Sequence, residues 1–281
     1  MSDDLPRDAA TDAVVDVDPA VLSAGHLRLD VEGPVVTVTL DRPEARNAQT
    51  PATWRALAAI GKALPDAVRV VVVRGSGASF SAGLDRAMFT GEGIVGEASF
   101  AELAHLSTDE LDGVIAQFQR GFSWLRDPRI ISIAAVQGHA VGAGFQLALA
   151  CDLRVVADDV QLAMRETSLG LVPDLTGTAP LVRAVGESRA LEICVTGRWL
   201  GAAEAVSSGL ASLSVPRDAL DGAVADLVAA VIAADAGAVR DTKAVLQGAA
   251  LRSDEEQYAV ERAGQARRFA ALRLALGRPG K

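Results

Sequence analysis

A chain of 281 residues, half of them hydrophobic and only 4% aromatic, has the length of a single α/β domain with an appendage and must build its core from Ala, Val and Leu. Its formal charge of −9 excludes general binding to nucleic acid, which takes a basic surface to neutralise phosphates. His26, His105 and His139, and Cys151 and Cys194, are too far apart in sequence for HxxxH, HExxH or CxxC spacing, so no metal site is expected and the thiols fit a reduced, intracellular protein.

Residues 1–24 are rich in Asp and Ala, follow no period and lack the basic start and apolar middle of a signal peptide; a frayed tail is expected. With no later apolar run of about 18 residues to span a bilayer, the expectation is a cytoplasmic protein without a membrane partner. Alternating apolar residues from His26 to Leu40, broken by Glu32, Gly33 and Pro34, have the period of two of a β-hairpin. Trp54, Leu57, Ile60 and Leu64 then share one helical face, and residues 68–73 form a continuous apolar run such as a sheet buries on both sides. Residues 90–108, with Gly91, Gly93 and Gly96, have no period and read either as a flap over a site or as a surface excursion without a role. Leu111, Ile115, Phe118, Phe122 and Leu125 define an amphipathic helix that ends before Pro128, and residues 130–136 a second buried strand. Beyond Glu187 the pattern is nearly all helical, over residues 187–196, 202–208, 217–234, 237–249 and 253–276. The expected organisation is a tail over 1–24, an α/β core over 25–200 and a helical region over 201–281.

Two glycine-rich stretches, residues 80–85 (FSAGLD) and 138–144 (GHAVGAG), each follow an apolar strand. Either one alone is also an ordinary strand-to-helix turn. Together they suggest a cradle: glycines let a backbone come close to a ligand, and N–H groups at the mouth of a sheet, aided by a helix N-terminus, suit an oxygen that gains negative charge. No Walker lysine follows the first stretch, which disfavours phosphoryl transfer. Cys151, with Asp152 beside it and His139 nearby, reads as packing in an apolar helix rather than as a nucleophile.

Residues 41–48 (DRPEARNA), the two glycine stretches, residues 150–154 (ACDLR), Glu166 and residues 170–173 (GLVP) together resemble the crotonase superfamily, the enoyl-CoA hydratase/isomerase family, from about Val35 to the C-terminal helices. The resemblance implies a ββα spiral core with a helical C-terminal region, homotrimers or hexamers, and an acyl-CoA substrate whose coenzyme A is part of the substrate, with no separate cofactor. It also implies that the amides of Leu84 and Ala143 hold the thioester oxygen. Backbone around Arg42, Ala45 and Ala82, with Gly83, Asp85 and Gly142, is implied to meet the substrate, and Arg46 and Arg86 either face its phosphates or are only solvated. Met88 and Phe89 either wall the acyl site or belong to the core; His139 either lines the pocket or is structural.

One position departs from the family. Hydratases carry a glutamate two residues after the last glycine of the second stretch, and this chain has Gln146. Glutamine cannot accept a proton as a general base; it can only orient water or a carbonyl. Glu166 matches the second family glutamate, and one carboxylate whose pKa is raised by burial is suited to carry a proton between carbons. The resemblance therefore implies double-bond isomerisation through Glu166, with two alternatives: water addition by Glu166 alone, or acyl-CoA binding without catalysis. Asp174 falls where dienoyl-CoA isomerases of the superfamily place a second acid, and it equally suits the N-cap of a helix opening at Leu175.

Overall fold

The computed structural model describes residues 13–90 and 93–276. Within them the strands are β1 (Leu27–Glu32), β2 (Val35–Leu40), β3 (Val70–Gly75), β4 (Ile131–Val136), β5 (His139–Val141), β6 (Leu153–Ala157), β7 (Gln161–Ala163), β8 (Leu200–Gly201) and β9 (Leu213–Val215). The main sheet has the order β1-β2-β3-β4-β6-β9, and a smaller one the order β5-β7-β8. The alternating hairpin folds as expected, with Leu27 opposite Leu40 and Glu32 opposite Val35 in antiparallel register. Every later neighbour in the main sheet is parallel. The fold is mixed α/β, with a mainly parallel sheet and C-terminal helices.

Parallel strands covered on both faces read as unbroken apolar runs, and β3 is such a strand. Val71 and Val73 join the larger core with Val36, Val38, Ala134 and Val136, against Trp54, Leu57 and Ile60 of the helix Pro51–Ala63. Val70 and Val72 point the other way with Ile133, Ala135 and Val155, where Leu220 and Val224 of the helix Leu220–Ala233 cover them. The helix Pro51–Ala63 starts on a Thr50–Thr53 capping box with Pro51 in its first turn, and the helix Thr108–Ser123 on a Ser107–Glu110 box. The helix Ala236–Leu246 is fastened to the core by Lys243, whose ammonium donates to the Asp127 and Ile130 carbonyls and to Asp152 Oδ2, each at 2.7 Å.

Four expectations are corrected or extended. Of the tail over 1–24, residues 1–12 lie outside the described residues, while Pro19–Ala24 is a helix capped by Asp18 and packed near Ala56. The stretch 90–108, of which 91 and 92 lie outside the described residues, contains the helix Phe100–Ala104, opened by a Ser99–Glu102 capping box that a search for hydrophobic period passes over. The region after Glu187, nearly all helical as expected, also holds β8 and β9, strands too short to carry a period and absent from the sequence reading. There β9 extends the main sheet, and the helix Leu220–Ala233 covers it. Finally, the helix expected from Leu175 runs Thr178–Val185 with Gly177 as its N-cap, so Asp174 does not cap it. Among the described residues no single helix is long and apolar enough to cross a bilayer.

Candidate active site

The first glycine stretch leaves β3 and returns along the second. Ser81 bridges Ala140 and Leu84 bridges Gln49. Gln49 donates its N–H to the Gly83 carbonyl at 2.7 Å and accepts from Asp85 N–H at 2.8 Å. Those two bonds use the backbone groups on either side of Leu84, so the Leu84 N–H itself points away from Gln49. Gly83 has φ of +87°, and a Cβ there would stand 2.4 Å from the Val141 carbonyl oxygen and 3.6 Å from Ala143 N. Only glycine fits so close a backbone approach, and that approach sets the two stretches side by side.

The second stretch turns at Gly142, whose φ of +49° and ψ of −118° make it the N-cap of the helix Ala143–Ala150. Gly142 N–H is taken by the Ala163 carbonyl at 2.9 Å. Ala143 is the first helical residue, so its N–H has no intrahelical partner and sits at the positive end of the helix. Leu84 and Ala143 border one cavity of about 1020 Å³, together with Ala82, Gly83, Gly142, Gln146, Glu166 and Asp174. Arg46, Arg86, Met88, Phe89 and His139 line it as well.

Glu166 opens the 3-10 turn Glu166–Leu169 just beyond β7 and lies against Gly142, where a Cβ would stand 3.3 Å from Glu166 Oε1. Gln146 Nε2 donates to Glu166 Oε1 at 2.6 Å. Gln146 Oε1 in turn accepts from the N–H groups of Leu175 at 2.8 Å and Gly177 at 3.3 Å. Two backbone donors on the oxygen fix which end of the amide faces Glu166. Glu166 Oε2 is buried and has no hydrogen-bond partner. Burial pushes the Glu166 carboxyl above the usual glutamate range; the Gln146 bond opposes this and the charge of Asp174 reinforces it. Asp174 is likewise raised by burial, and its carbonyl accepts from Gln119 Nε2 at 2.7 Å.

The arrangement supplies two amide donors for a developing oxyanion, one carboxylate with a free oxygen, a second acid nearby and a fixed amide that cannot act as a base. Three of the sequence-derived residues stand elsewhere. Arg42 donates to Ala48 O at 2.9 Å and pairs with Asp85 Oδ2 at 2.5 Å, while Asp85 Oδ1 caps the Ala87 N–H at 2.9 Å. Although burial works against it, those bonds from Ala87 and Arg42 hold the Asp85 carboxyl below the usual range. Both side chains brace the first stretch. Ala45 lies in the 3-10 turn Pro43–Ala45 and does not border the cavity. Cys151 is packing: its buried thiol, pushed up to about 12 by burial, rests on the Leu147 carbonyl.

Sequence reasoning missed Gln119, the Leu175 and Gly177 amides, and Trp199. Trp199 reaches the cavity just ahead of β8, with Arg165 over its ring at 4.9 Å and His139 edge-on at 5.6 Å. No local pattern marks it, because pairing within the small sheet brings it there.

Residues 30–275 match the family model described as enoyl-CoA hydratase/isomerase. A Rhizobium meliloti (strain 1021) protein described as a probable enoyl-CoA hydratase is 35% identical over 201 residues, 71% of this chain and 72% of that protein. Carnitinyl-CoA dehydratase of Salmonella arizonae (strain ATCC BAA-731 / CDC346-86 / RSK2980) is 33% identical over 250 residues, covering 88% and 89%. A Thermobifida fusca YX protein solved in complex with CoA is 49% identical, with a TM-score of 0.86 over 91% of this chain and 97% of that one. With the paired glycine stretches and Glu166 in place, the chain belongs to the enoyl-CoA hydratase/isomerase family of the crotonase superfamily.

Proposed function

We propose that the protein binds an acyl-CoA thioester and moves its double bond, with coenzyme A carried by the substrate and no separate cofactor. The observation that carries this reading is Glu166: a buried carboxylate with Oε2 unpartnered, beside the Ala143 amide and with no second glutamate across from it. With a 3-enoyl-CoA, Glu166 Oε2 takes a proton from the α-carbon. The electron pair moves into a dienolate, and the thioester oxygen gains the charge between the Leu84 and Ala143 amides. The same carboxyl then returns the proton to the γ-carbon, leaving a 2-enoyl-CoA. Asp174, on the same cavity wall, is placed in this reading as a second acid for a longer transfer. CoA binding is supported by the Thermobifida fusca YX relative, solved with CoA and with acetoacetyl-CoA.

Water addition to a 2-enoyl-CoA is the second reading. It is favoured by the hydratase descriptions of the relatives and by the remaining Nε2 hydrogen of Gln146, which is free to orient a water toward Glu166. Turnover of a 3-enoyl-CoA is to be compared with hydration of crotonyl-CoA under the same conditions. The isomerase reading expects the first to have the higher kcat/KM; equal or faster hydration overturns it, and no turnover of either, with CoA thioesters still bound, leaves a binding protein. Assembly into trimers or hexamers belongs to the same proposal, supported by exposed apolar side chains at Leu191 and Val195 and at Phe269 and Leu272. Light scattering that finds only monomer overturns that part.

A further inference from the structure

The cavity wall is richer in aromatic rings than the chain as a whole. Three of the seven phenylalanines, Phe89, Phe100 and Phe118, and two of the three tryptophans, Trp54 and Trp199, border it. Four of these rings form two pairs. Phe89 and Phe100 lie stacked at 4.3 Å with their planes 6° apart, and Trp54 and Phe118 meet tilted at 4.7 Å. The pairs come from different elements: Phe100 from the short helix after the first stretch, Phe118 from the helix Thr108–Ser123, Trp54 from the helix Pro51–Ala63.

Trp54 is also held, and so is the segment before Phe100. The indole N–H of Trp54 donates to Gln49 Oε1 at 2.9 Å, which fixes the plane of that ring. Arg55, next in the chain, forms a bidentate pair with Glu97, tying the segment before Phe100 to the helix that carries Trp54. Phe89 nevertheless stays 41% exposed, a large apolar face left open at the border of a cavity. Aliphatic side chains would close an apolar pocket around a linear chain equally well, and Leu103, Leu111 and Ile115 do so on the same wall. What aromatic faces add is preference for another π-system in offset-stacked or edge-on contact.

We infer that the acyl group this site takes ends in an aromatic ring, received by Phe89, Phe100 and Phe118, with Trp54 buried against Phe118 as its backing. The inference rests on the acyl-CoA reading above and specifies its substrate class. Recognition here needs no bond to form or break, so it is tested by binding alone. Calorimetric dissociation constants are to be measured for CoA, for 6-phenylhexanoyl-CoA and for dodecanoyl-CoA, the two thioesters being saturated, unreactive and equal in acyl carbon number.

The phenyl-terminated thioester is expected to bind about fivefold or more tightly than the linear one, the scale of one added aromatic contact. Phe89→Leu and Phe100→Leu are each expected to draw that ratio toward one. Equal or tighter binding of the linear thioester by the wild type overturns the inference, as does a ratio unchanged in both variants. Phe89, being partly exposed, keeps the test open if Phe100→Leu does not fold. Failure of CoA and both thioesters to bind is a different result, because it removes the acyl-CoA reading itself.

Discussion

Lys243 and Glu166 are buried to nearly the same degree, 7% and 9% exposed, yet the chain treats them in opposite ways. Lys243 places all three ammonium hydrogens, on two carbonyls and a carboxylate, and so fastens a C-terminal helix to the core. Glu166 has a partner on one oxygen only, and that partner is an amide held in turn by two backbone N–H groups. A buried charge with every donor satisfied is structure. One with a lone pair left bare in a cavity costs stability, and in the proposed function that bare oxygen is the proton carrier.

The comparison breaks most visibly in activity. Glu166→Gln is expected to lower kcat/KM on the turned-over thioester by about 10²- to 10⁴-fold, the range of a lost general acid–base group, while thioester affinity measured by calorimetry is retained. The next effect is on folding: Lys243→Ala leaves the Asp152 carboxylate and two carbonyls without their donor and is expected to cost about 3 kcal/mol, read as a fall in the urea midpoint at constant slope. Unchanged stability there would mean that the ammonium is not what fastens the helix.

Smaller and of opposite sign is the effect of Glu166→Gln on stability, an expected gain of about 1 kcal/mol near neutral pH. Folding raises the pKa of this carboxyl, so the folded chain holds the proton more tightly than the unfolded one. The stability it contributes is complete below the unfolded pKa and is lost as pH climbs through the folded pKa. The advantage of the variant therefore grows with pH, and thermal melts at pH 5 and pH 8 that differ equally from wild type would contradict it. The smallest effect is a shift in the pH profile. Asp174→Asn removes the negative charge that helps to raise Glu166, so the acid limb of kcat/KM moves to lower pH, whereas Gln146→Leu removes an opposing hydrogen bond and moves it higher.

Much of the fold was legible because it is periodic. The β1–β2 hairpin, the buried run of β3 and the face of Trp54, Leu57 and Ile60 follow from alternation and helical spacing. The strands β8 and β9, of two and three residues, carry no period at all and exist only through their partners. Motifs pointed to Leu84, Ala143, Gln146 and Glu166, all of which border the cavity, because glycines mark backbone geometry. Arg42 and Asp85 do not border the cavity; their opposite charges satisfy each other 43 residues apart in sequence, a pairing that only folding brings about. Trp199 was invisible for the same reason.

The pressing of Gly83 against the Val141 carbonyl bears on how this chain tolerates mutation. In the proposed function both oxyanion donors are main-chain atoms, so what the site asks of Leu84 and Ala143 is the position of their amides, while their side chains answer to the core they pack in. An added methyl at Gly83 would press on the Val141 carbonyl and part the two stretches, and one at Gly142, where φ is +49°, would strain the turn and crowd the Glu166 carboxylate. The proposed chemistry is thereby hostage to two glycines that take no part in it.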